Sequence, residues 1–136
     1  MKERIIVTNN HGEKLVGVLD NVGSTQLVVL CHGFRSSKDD GTLVNLASSL
    51  SSEGISAFRF DFSGNGESEG QFSYGNYWKD AEDLRVVVLY FRGKGHKVST
   101  FIGHSNGGIS ALLYASKYQD ISTVINISGR FAWIEA

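Results

Sequence analysis

The sequence predicts an α/β chain, a mostly parallel sheet with helices on both faces. Three observations carry that reading. QLVVLC (26–31) is a continuous apolar run, the pattern of a strand covered on both sides. Apolar residues recur at helical spacing in the stretches between strands. Strands and helices alternate along the chain, which implies right-handed crossovers between parallel strands.

The elements follow in order. RIIVTN (4–9) and KLVGVLD (14–20) alternate around His11-Gly12 and read as a first hairpin. After QLVVLC, positions 39–52 carry Leu43, Leu46, Ala47 and Leu50 on one helical face, with Gly54 as the stop. ISAFRFDF (55–62) is the next strand. Residues 76–92 set Tyr77, Trp78, Ala81, Leu84, Val88 and Phe91 along one stripe, with Asp80, Glu82 and Asp83 early and Arg92 late, as the helix dipole favours. KVSTFIG (97–103) is a strand, 106–118 a helix and STVINIS (122–128) a last strand. No repeat or linker interrupts the pattern, so residues 1–136 are expected to form a single α/β domain.

Charge and composition exclude several classes of function. The 136 residues hold 41% hydrophobic and 20% charged side chains, with a net charge of -1. There is no basic stripe for nucleic acid or an anionic membrane surface. No apolar run approaches signal-peptide or membrane-spanning length. The single Cys31 precludes an intramolecular disulfide and fits a cytoplasmic or other reducing compartment.

G-x-S-x-G occurs twice, at Gly66-Glu67-Ser68-Glu69-Gly70 and at Gly103-His104-Ser105-Asn106-Gly107. The pattern carries chemistry only at a sharp strand-to-helix turn, where the serine is strained and its hydroxyl stands above the sheet. Ser105 has that context: a strand precedes it and a helix rich in small residues follows. Ser68 leads into a polar loop and reads as structural. Acyl transfer also needs two backbone N–H donors aimed at the oxyanion. The Asn106 N–H, at a helix start, is one candidate. LVVLCHGFRSS (27–37) offers the other: Gly33 turns the chain tightly after a buried strand and presents the Phe34 N–H. FRFDFSGNGESEG (58–70) has glycines at 64, 66 and 70, but it matches neither phosphate-binding glycine motif. It reads as a shaped loop beside the site, with a nucleotide site as the weaker alternative.

Together HGF, RFDFSGNGESEG and GHSNGG resemble the α/β-hydrolase superfamily over about residues 25–130. The likeness is to the branch of monoglyceride lipases, cinnamoyl or feruloyl esterases and serine aminopeptidase-like hydrolases. The resemblance implies an α/β-hydrolase fold cut off after about the sixth strand. It implies Ser105 as nucleophile, an oxyanion hole from the Phe34 N–H on the His32-Gly33 loop and the Asn106 N–H after the nucleophile, and Asp61 opening a structural loop. It also implies a small-molecule acyl ester as substrate, no cofactor and no metal.

In that family the triad runs Ser, then Asp or Glu, then His. Downstream of Ser105 stand Asp120 and Glu135 but no histidine. His104 adjoins the serine and points away from it, His32 belongs to the oxyanion loop, His11 to the first hairpin and His96 to the far end of the sheet. Asp120 is expected at that far end too, Glu135 in a solvated tail, and Cys31 in the core. The base and its acid are therefore expected outside this chain. Two readings follow: the nucleophile-bearing half of a serine ester hydrolase, with weak activity alone, or a catalytically inactive binding module. The last strand would form an open sheet edge, inviting self-association or a partner.

Overall fold

The computed structural model describes residues 2–73 and 75–127. The strands are β1 (Lys2–Thr8), β2 (Lys14–Asp20), β3 (Gln26–Cys31), β4 (Ser56–Phe60), β5 (Lys97–His104) and β6 (Thr123–Ile127). The helices are α1 (Gly41–Ser52), α2 (Tyr77–Gly93) and α3 (Gly107–Tyr118). One six-stranded sheet has the order β1-β2-β4-β3-β5-β6. β1 and β2 form the expected antiparallel hairpin, and β2 also runs antiparallel to β4. The β3–β4, β3–β5 and β5–β6 pairs are parallel.

The two-sided burial of β3 follows from its position between β4 and β5. Val28 and Leu30 join Ala57 and Ile102 beneath Leu43 and Ala47 of α1. Leu27, Val29 and Cys31 point to the other face, among Phe58, Phe60, Phe101 and the inner residues of α2 and α3. Alternate side chains thus feed two cores, which is why the run is apolar throughout. Asp40 caps α1 by accepting the Leu43 N–H, and Gly54 ends the turn that follows at φ +79°.

Three expectations need correction. The fourth strand stops at Phe60 rather than Phe62, because Asp61 leaves the ladder to bind neighbouring loops. Trp78, which periodicity sets on one stripe with Ala81, Leu84, Val88 and Phe91, is 51% exposed where those four are buried. Asp83, assigned to the helix dipole, faces inward and accepts the Ser63 N–H and the Asn9 side-chain amide. Ser128, at the end of the last expected strand, and Glu135 lie outside the described residues.

Ser68 is structural, as its loop context suggests. Its buried hydroxyl accepts the Val16 N–H at 2.8 Å and donates to the Asp61 carbonyl at 2.6 Å. Ser68→Ala strands both backbone groups and is expected to lower stability by about 1–3 kcal/mol in urea unfolding. An unchanged midpoint would contradict this account.

Candidate active site

The parallel neighbours β3 and β5 end at the same edge of the sheet, and the loops that follow them meet there, where α/β sheets usually bind ligands. After β5 the chain turns directly into α3. Ser105 occupies the turn at φ +56°, a left-handed conformation that side chains rarely adopt. Its N–H donates to the Ile127 carbonyl at 2.9 Å, tying the turn to β6. The flanking glycines are sterically required. A Cβ on Gly103 would enter the first turn of α3, and one on Gly107 would collide with the carbonyls of Cys31 and His32.

Gly33 closes the contact from the other side. A Cβ there would stand 2.9 Å from the His104 carbonyl and 3.1 Å from Ser105 Cβ. Gly33–Ser36 is a β-turn, closed by the Ser36 N–H on the Gly33 carbonyl at 3.2 Å. Phe34 and Asn106, the two candidate amide carriers, line one recess of about 30 Å³, the room of about one water molecule. Asn106 stands at the N-terminus of α3, and its N–H bonds to nothing among the described residues. The loops thus bring Ser105, Gly33, Phe34 and Asn106 together.

All four histidines fall among the described residues. His32 is buried; its Nε2 accepts the Phe62 N–H at 3.1 Å, so Nδ1 carries the proton and donates to the Gly33 carbonyl at 2.7 Å. Burial lowers its pKa, although the Gly33 bond acts the other way. It is a neutral strut between two loops. His104 Nδ1 lies 3.0 Å from Asp40. His11 sits in the hairpin turn, 3.7 Å from Glu82, and His96 precedes β5 at the opposite end of the sheet. Asp120, also at that end, takes Arg85 at 2.8 Å and Arg92. Although burial opposes it, the two arginines hold that carboxyl below its usual range. Cys31 is fully buried, and burial pushes its thiol pKa up, as expected of a core residue.

The glycine-rich loop is folded around a carboxylate. Buried Asp61 accepts the Lys38 N–H at 2.7 Å, the Glu67 N–H at 2.9 Å and the Lys38 ammonium at 2.9 Å. Arg59 reaches from β4 to the Lys38 carbonyl and the Asp39 carboxylate. A Cβ on Gly66 would occupy the Asp61 carboxyl. The amides of 62–65 and 67–69 are all bonded within the protein, which leaves the loop poorly equipped to cradle a phosphate. This knot was not foreseen; the only signal was an aspartate opening the loop and a lysine in RSSKDD.

Asp80, on α2, also lines the recess beside Asn106 and was likewise missed. Burial and the nearby Asp83 raise its pKa to about 7, opposed in part by Lys79.

A mixed sheet of this order, with a strained serine between its fifth strand and the next helix, defines an α/β-hydrolase fold. Residues 23–135 match the family model described as serine aminopeptidase, S33, and the chain belongs to that family. It superposes on the Pyrococcus furiosus esterase Pf2001 with TM-score 0.82 at 25% identity, over 91% of this chain and 50% of that one. Est1E from Butyrivibrio proteoclasticus, solved with ferulic acid bound, gives 0.78 at 25%, over 88% and 50%. The α/β hydrolase GrgF from Penicillium sp. sh18 gives 0.84 at 22%, over 94% and 46%, a likeness of fold. The chain thus spans about half the length of these structures. No sequence among curated proteins matches it.

The Asp80 carboxyl carries a pH signature. Folded, it holds its proton to about pH 7, whereas an unperturbed carboxyl releases it near 3.8. Between those values the folded state binds more protons, so this group lowers stability as pH rises through the window. Asp80→Asn should raise the melting temperature by about 4 °C at pH 8 and leave it unchanged below pH 4. An equal shift at both pH values would show that the effect is not ionisation.

Proposed function

We propose that this chain carries the nucleophile and oxyanion hole of a serine hydrolase acting on carboxylic esters. The observation that carries the reading is the left-handed Ser105, clamped between Gly33 and the start of α3. Strain of this kind costs about 1–3 kcal/mol and persists at positions where the surroundings enforce it. Here it would present the hydroxyl beside the recess shared by Phe34 and Asn106.

In this mechanism Ser105 Oγ attacks the ester carbonyl carbon and the carbonyl oxygen becomes an oxyanion. The Phe34 and Asn106 N–H groups stabilise that charge, helped by the positive end of the α3 dipole. The alcohol leaves with a proton, an acyl group stays on Ser105, and water removes it. The proton of Ser105 needs a base. All four histidines of the chain are committed elsewhere or distant, so the base and its acid are assigned to residues outside these 136. A site with its hole but not its base retains about 10³–10⁴ over water.

A second reading, a catalytically inactive binding module, draws on β6. Among the described residues it pairs only with β5, and Ile125 is 45% exposed on it. On that reading the edge recruits a partner strand, and the chain sediments as a dimer that Ile125→Lys dissociates.

Incubation with a fluorophosphonate, followed by intact mass, separates the readings. The chain should take up one equivalent slowly, on Ser105, and Ser105→Ala should take up none. A folded chain that stays unlabelled, or is labelled at another serine, would overturn the hydrolase reading.

A further inference from the structure

Five arginines fall among the described residues, and four of them bind carboxylates: Arg4 to Glu67, Arg59 to Asp39, and Arg85 and Arg92 to Asp120. Arg35 pairs with no carboxylate among the described residues. It lies instead over two phenyl rings, its guanidinium carbon 5.6 Å from the centroids of both Phe34 and Phe72. The rings are 5.5 Å apart and both are exposed, at 43% and 39%. Arg35, Phe34 and Phe72 all line the recess that Asn106 enters.

The backbone adds an independent observation. Arg35 is the third residue of the Gly33–Ser36 turn and has φ +52°, where glycine or asparagine is normally preferred. An arginine there is strained where glycine would not be, and the cation–ring contacts its head group makes among the described residues are with these two rings. A guanidinium laid on aromatic faces is held in place while its N–H edge stays available to a planar anion. Asp80, the one acid lining the recess among the described residues, is mostly protonated below neutral pH and so sets little opposing charge there.

We infer that Arg35 recognises an anionic group on the substrate, so that the ester taken by this site carries a carboxylate or a phosphate near the scissile bond. The assignment rests on the reading of Ser105 as nucleophile. The carboxylate or phosphate meets the guanidinium fork while the ester carbonyl lies toward Ser105.

Amide spectra of the labelled chain, titrated with benzoate, phenyl phosphate and benzamide, test this. Benzoate should perturb the Gly33–Ser36 turn and bind roughly five-fold tighter than benzamide, the scale of one partly exposed ion pair. A larger preference for phenyl phosphate would assign the anion as phosphate, a larger one for benzoate as carboxylate. Arg35→Gln should erase the preference, and Arg35→Lys should retain part of it. Arg35→Gly should erase it without lowering the melting temperature, which a merely structural arginine would not allow. Equal binding of benzoate and benzamide, preference surviving in Arg35→Gln, or no measurable binding of either anion would overturn the proposal. Fluorophosphonate treatment of the same samples separates the two readings. Labelled Ser105 without anion preference overturns the Arg35 assignment alone. Anion preference with unlabelled Ser105 overturns the nucleophile reading, and with it the ester.

Discussion

No side chain fits between the end of β3 and the first turn of α3. A Cβ on Gly107 would collide with the carbonyls of Cys31 and His32, and one on Gly33 would press on the His104 carbonyl. Glycine at these positions lets two parallel neighbours carry their following loops into backbone contact, and the whole candidate site is built in that contact. The same glycines supply no side-chain packing and much conformational freedom. The geometry must therefore be held by groups reaching in from farther away. The Ile127 carbonyl holds the Ser105 amide, and the neutral His32 ring joins the Phe62 amide to the Gly33 carbonyl.

The Asp61 knot does the same for the rest of the loop after β3. Lys38 and Asp61 are almost wholly buried, and removing two charges from water costs several kcal/mol that their attraction only partly returns. Such a pair is a weak source of net stability. What it provides is position. Asp61 accepts amides from Lys38 and Glu67, and Arg59 binds the Lys38 carbonyl, so both loops are fixed to β4. Gly66 leaves the space the carboxyl fills. The glycines of this stretch are thus explained by an internal carboxylate rather than by a bound phosphate.

The legible parts of the fold were those set by local rules. Two-sided apolar runs, amphipathic spacing and Gly54 as a helix stop are dictated by near neighbours, and the mostly parallel sheet followed from alternation. Ser105 could be told from Ser68 because the strand before it and the small-residue helix after it are sequence features. The errors share a cause. Phe62 continued the apolar alternation, so the strand seemed to run on, but Asp61 has partners in loops distant in sequence. Trp78 joined the stripe because periodicity scores every apolar residue alike. Asp80 and Asp83 were read only as acids suiting the helix dipole, because their burial depends on α3, Asn9 and Ser63, which no helical wheel of α2 contains. That Arg35 meets no carboxylate among the described residues depends on charges distant in sequence and cannot be read from the residues around it.

Cations elsewhere in the molecule hold the frame. Lys79 links Glu13 to Ser63, and Arg85 and Arg92 fasten α2 to Asp120 in the loop before β6. A frame braced at both ends of the sheet can sustain unfavourable torsions between them. Three non-glycine residues among those described have positive φ: Ser105, Arg35 and Gln119. Gln119 is an ordinary left-handed helix cap, with its N–H on the Ala115 carbonyl, and such an ending needs no outside support. Ser105 and Arg35 end no helix. Both stand in the loops that meet at Gly33, where a residue of ordinary φ would relieve the backbone and turn its side chain elsewhere. That strain collects at these two positions, one bearing a hydroxyl against Gly33 and the other a guanidinium on the recess that Gly33 and Asn106 line, is the strongest reason to treat them as parts of one site.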